Sequence, residues 1–94
     1  MKDEEARFYE RVDSHIQLSN DQLKGEPNRG RVNASMMSAS ARFSAYVAAS
    51  SASSADQMAA DRDKTIAYFV EQYRLMLEDH LEDHIANFSS YMEG

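Results

Sequence analysis

The sequence predicts an all-α fold: a three-helix antiparallel up-down-up bundle with an over-long third helix. Apolar residues recur at helical spacing along three segments. One proline and three glycines stand against abundant Ala, Ser, Met, Glu and Asp, a balance that favours long helices over hairpins. Stop and start signals fall between the three segments. With 94 residues the chain is expected to form one domain, 1–94, with helices at about 3–24, 29–52 and 55–88.

The first helix takes its stripe from Phe8, Val12, His15, Ile16, Ser19 and Leu23, while Glu10, Asp13 and Asp21 lie away from it. Gly25 supplies the expected stop, as a left-handed residue after the helix, and Pro27 forbids continuation. The second helix carries a main stripe of Val32, Met36, Ala39, Phe43, Tyr46, Val47 and Ser50. A second row of small or apolar residues lies almost opposite: Ala34, Met37, Ala41, Ala45, Ala48 and Ala52. A helix that is apolar on two sides is usually sandwiched, so this one is expected at the centre.

The third helix opens on Ser54-Ala55-Asp56-Gln57, a capping-box pattern, with Asp56 well placed for the helix dipole. Its stripe is Ile66, Phe69, Val70, Tyr73, Leu77, His80, Leu81, His84, Ile85 and Phe88, and no breaker is evident before Ser89-Ser90. The expected buried centre is Phe43, Tyr46, Ile66, Phe69, Val70, Tyr73 and Leu77, joined by Phe8, Val12 and Ile16. At ~1.5 Å per residue the first two helices span roughly 33–36 Å and the third about 50 Å. Leu81, Ile85 and Phe88 therefore overhang a straight bundle and are the candidate interaction residues, best covered by a second copy in a homodimer. A bend after Leu77 that folds the tail back is the competing expectation.

Charge narrows the partners. The net charge of −6 argues against nucleic acid, because phosphate binding requires clustered Lys and Arg. The stretch poorest in charge, Val32 to Ala55, is rich in serine and contains Arg42, which argues against a membrane span. The acidic start, Met1-Lys2-Asp3-Glu4-Glu5, does not resemble a secretory signal, so a cytoplasmic location is expected. From Glu71 to Gly94 there are six acidic residues and only Arg74 as a base, whereas Lys24, Arg29 and Arg31 face only Glu26 around the first turn. Antiparallel helices would bring those two regions together.

Catalytic chemistry finds little support. His80 and His84, four apart on one helix face, can chelate a transition metal, with carboxylates available from Glu78, Asp79, Glu82 or Asp83. Leu81 stands where a zinc protease of the H-E-x-x-H type has glutamate, and Leu77 and Leu81 stand where a di-metal bundle has it. A structural role for the two histidines at the core edge is the simpler expectation. The serines follow no nucleophile-elbow pattern, and the glycines form no phosphate loop. With no cysteine, neither a disulfide nor a thiolate metal site is available. No cofactor and no enzymatic activity are expected.

The run from Arg31 to Ser51 (RVNASMMSASARFSAYVAASS), followed by Ile66 to Leu77 (IAYFVEQYRLML) and Ile85-Ala-Asn-Phe88, resembles a family of small proteobacterial proteins known only as a domain of unknown function. The resemblance extends from about Phe8 to Phe88. It implies a bacterial cytosolic helical protein and brings no catalytic residues to carry over.

Overall fold

The computed structural model describes residues 3–92. Among the described residues five helices follow one another: α1 (Glu4–Gln22), α2 (Arg29–Ser51), α3 (Ala55–Ala60), α4 (Arg62–Ala86) and α5 (Phe88–Met92). Among the described residues there is no strand, so the all-α class holds. The chain divides into two units, residues 1–45 and 46–94, with α2 running through the division.

In the first unit, Asp3 caps α1 by accepting from the Ala6 amide at 2.8 Å, and Glu4 and Glu5 place negative charge at the positive end of the dipole. The helix stops without the left-handed glycine. Neither Gly25 nor Gly30 has a positive φ, and Leu23 ends the helix in right-handed geometry. The chain tightens instead: the amides of Lys24 and Gly25 donate to the carbonyls of Asp21 and Gln22 at 3.2 and 3.1 Å. Pro27, which has no amide hydrogen, stands in the turn that follows. Asn28 then caps α2 through its side-chain oxygen, 3.2 Å from the Arg31 amide. Glu26 steadies the turn, accepting from the Asn28 amide at 3.0 Å and pairing with Arg31 at 3.4 Å. Around this turn lie Val32, only 6% exposed, and the half-buried Ser19, Leu23, Glu26 and Met36.

In the second unit, Ser54 caps α3, its hydroxyl oxygen accepting from the Gln57 amide at 3.0 Å. The return half of the expected capping box is missing, because the Gln57 side chain donates forward to Asp61 at 2.9 Å. Asp61 sits at φ −93°, ψ 3°, between the α and β regions, and the helix breaks there. Aspartate is among the weaker helix-interior residues. Ala48, Ala52, Met58, Asp61, Thr65 and Phe69 are half-buried, and a pocket of about 200 Å³ is lined by Ala48, Ser51, Ala52, Met58, Asp61 and Thr65.

Two expectations are corrected. The single third helix over 55–88 is three helices, broken at Asp61 and Asn87, and α4 runs uninterrupted past Leu77 to Ala86. Of the expected buried centre, Phe69 is half-buried, whereas Phe43, Tyr46, Ile66, Val70, Tyr73, Leu77, Phe8, Val12 and Ile16 are exposed. Periodicity identifies which face of a helix is apolar but not whether anything covers it.

Candidate interaction surface

The far half of α4 brings together most of the residues singled out in the sequence. From Val70 to Met92 every described residue is exposed, so its apolar stripe of Tyr73, Leu77, Leu81 and Ile85 faces solvent. Ile85 is 75% exposed. Phe88 does not continue that stripe on the same helix, because Asn87 ends α4 and Phe88 begins α5.

Ion pairs organise the polar side of α4. Arg74 donates to Glu71 through Nε at 3.0 Å and also pairs with Glu78. The guanidinium holds the Glu71 carboxyl below the usual carboxylate range, and Glu71 in turn raises Arg74 above its ordinary value. One turn beyond, Asp83 gathers the start of α5. Its carboxylate accepts from the Tyr91 hydroxyl at 2.6 Å and from Asn87 Nδ2 at 2.9 Å. The Tyr91 bond, with help from Asn87 and the two histidines, lowers the Asp83 pKa, and the same bond raises that of Tyr91. The Tyr91 ring stacks on His84, with centroids 4.2 Å apart and planes 18° from parallel.

His80 and His84 differ in their commitments. His84 Nδ1–H donates to the His80 carbonyl at 2.8 Å, which leaves Nε2 as the nitrogen with a free lone pair. Among the described residues no three His, Cys, Asp or Glu side chains are gathered as metal ligands. Neither histidine is half-buried, so the core-edge role expected for them gives way to a surface one.

The Asp83–Asn87–Tyr91 cluster was missed in the sequence, although its signal was present. Residues spaced four and eight apart share one helix face, and an aspartate, an asparagine and a tyrosine at that spacing can bond along it. Asp61 was missed for a different reason: nothing in the sequence sets it apart from Asp63.

α2 has the opposite electrostatic character. It carries Arg29, Arg31 and Arg42 and no acidic residue. Phe43 and Tyr46 are each 66% exposed on it. Among the described residues no helix is long and apolar enough to cross a membrane.

The comparisons with known proteins agree with this architecture. The chain is similar to the protein NB7890A from Shewanella sp, whose NMR structure matches with a TM-score of 0.78 and 35% sequence identity, over 89% of this chain and 88% of that one. No curated protein matches the sequence. Residues 8–85 match the family described as "Protein of unknown function (DUF3144)". The match spans most of the sequence and the structural likeness nearly all of it, so this chain belongs to the DUF3144 family.

Proposed function

We propose that this chain is a non-enzymatic bacterial cytosolic protein that works through self-association, as a twofold dimer, with the three long helices running up-down-up in one domain. The far stripe of α4, with Leu81 and Ile85 at its centre and Phe88 beside it, forms the contact, aided by the alanine face of α2. The observation that carries this reading is the unbroken exposure from Val70 to Met92 of a segment with apolar residues at helical spacing. Covering the exposed half of a Leu or Ile contributes about 1 kcal/mol, whereas an exposed ion pair contributes ~0–1 kcal/mol. The stripe therefore supplies affinity and the charges supply register.

Light scattering on the wild type and on Ile85→Asp tests the proposal. A dimeric mass at tens of micromolar that Ile85→Asp converts to a monomeric mass is the expected result; a monomeric wild type would refute it. The exposed, lone-pair-bearing Nε2 of His84 beside His80 supports a second reading, in which the pair binds a transition metal. Elemental analysis of protein purified without a histidine tag decides that case: stoichiometric metal would favour it, and metal-free protein would sink it.

A further inference from the structure

His80 and His84 offer two imidazole ligands, whereas a tetrahedral metal ion such as zinc takes four. Among the described residues one chain gathers no third His, Cys, Asp or Glu around them. The pair is nonetheless prepared for a metal. His84 spends Nδ1–H on the His80 carbonyl at 2.8 Å, the kind of bond that commonly fixes the ring of a metal-ligating histidine. Its ring is fixed again by the stack on Tyr91, whose hydroxyl is tied to Asp83 at 2.6 Å. The His80 ring forms no hydrogen bond among the described residues. From Leu75 to Ala86 there are four carboxylates, Glu78, Asp79, Glu82 and Asp83, and no Lys or Arg, so the local field favours a cation.

Helix geometry decides where further ligands come from. At about 100° per residue, His80, His84, Leu77 and Leu81 fall in that order within an arc of about 100°, with Ile85 about 40° further on. The histidines thus border one side of the stripe, Leu81 and Ile85 border the other, and Leu77 lies between. Glu78 and Glu82 stand beyond Ile85, Asp83 stands beyond His80, and Asp79 is at the back, so no carboxylate lies within that arc.

A twofold axis can pair two such helices in parallel or antiparallel fashion. In a parallel pair the histidine side of each chain faces the Leu81 and Ile85 side of the other. In an antiparallel pair the axis crosses both helices at right angles, and the two histidine sides share one flank of the seam. With the axis level with Glu82, midway between His80 and His84, the four imidazoles surround one point. In that register Leu81 and Leu77 lie about 1.5 and 7.5 Å before the axis and Ile85 about 4.5 Å after it. Side chains of the two copies therefore alternate along the opposite flank instead of colliding.

We propose that His80 and His84 of two antiparallel α4 helices together bind one divalent transition-metal ion on the twofold axis of the dimer. The inference rests on the self-association reading and joins the histidine pair to the same contact. The ion offsets part of the negative charge that two copies of α4 bring together, while Leu77, Leu81 and Ile85 close the other flank.

The test strips untagged protein with a chelator and titrates it with zinc. Mass is read by light scattering and bound zinc by competition with a chromophoric chelator. Binding is expected to saturate at one zinc per two chains and to tighten the dimer at least roughly tenfold. His80→Ala and His84→Ala should each abolish that tightening and leave the metal-free dimer in place. Alanine is the better helix former at both exposed positions, so circular dichroism should show no loss of helix. Zinc bound at one per chain with no change of mass overturns this inference and leaves the single-chain metal reading. A dimer indifferent to zinc overturns this inference and leaves self-association. A chain monomeric with and without zinc overturns both. Tightening that survives both alanine variants puts the metal elsewhere and also overturns the inference. A dimer formed only with zinc supports it and moves the source of affinity from the stripe to the ion.

Discussion

The turn between α1 and α2 and the far half of α4 are built from similar material and reach different ends. Both carry apolar residues at helical spacing among charged ones. Around the turn, Val32 is buried and Leu23, Glu26 and Met36 are half-buried, while along α4 beyond Phe69 every side chain is exposed. The turn has what α4 lacks. Its backbone is held locally by Glu26 and Asn28, and Val32 is covered by residues near it in sequence. A long helix presents its stripe along one line, and a neighbour must come to it. Apolar periodicity thus ends in a buried Val32 in the first region and in an exposed stripe in the second.

The largest expected effect sets the two regions against each other with the same substituent. Val32→Asp places a carboxylate in the buried position and should destabilise by about 3 kcal/mol at every protein concentration. Ile85→Asp should instead abolish the dependence of the thermal midpoint on concentration. Equal, concentration-independent losses from both would erase the distinction. Next in size is Ser54→Ala, which removes the hydroxyl that caps α3 and should cost ~1 kcal/mol in denaturant unfolding. An unchanged midpoint would mean that the cap contributes nothing to the second unit.

The smallest effect concerns α5. Asp83 has a lowered folded pKa, so its contribution is present above the ordinary carboxylate range, about pH 4, and is lost as pH falls through the lowered value. Tyr91 has a raised pKa, so its contribution is complete below about pH 10 and is lost as pH rises through the raised value. The attachment of α5 to α4 should therefore hold across neutral pH and loosen at both extremes. Asp83→Asn should bring Tyr91 ionisation back towards the ordinary phenol range, read as the ultraviolet difference against Tyr91→Phe. A tyrosine titration that ignores Asp83→Asn would contradict the bond.

Much of this architecture was legible in the sequence. The Ser54 cap, the interruption around Gly25 to Gly30 and the all-helical character follow from local chemistry, which a sequence states directly. The stripe residues Leu81 and Ile85 were legible for the same reason. Illegible were the breaks at Asp61 and Asn87. Asn87 donates to the Asp83 backbone carbonyl at 3.1 Å, a side-chain bond that competes with helix continuation by a small margin that propensity alone does not resolve. The burial of Phe43, Tyr46 and Val70 was expected and not found, because amphipathicity constrains a helix face and leaves its neighbour unspecified.

The right-handed ending of α1 has a consequence for the unfolded chain. Gly25 spends its conformational freedom on nothing in the folded protein: its φ is negative, and an added Cβ would meet only the Gln22 carbonyl oxygen, 4.0 Å away. That freedom persists in the denatured ensemble, where it enlarges the number of states that folding must give up. Gly25→Ala should therefore stabilise the protein, by about 0.4–1 kcal/mol, without adding a single native contact. At Gly30 the same change meets the Asn28 side-chain oxygen at 3.2 Å, the atom that caps α2, so there the entropic gain is set against a disturbed cap.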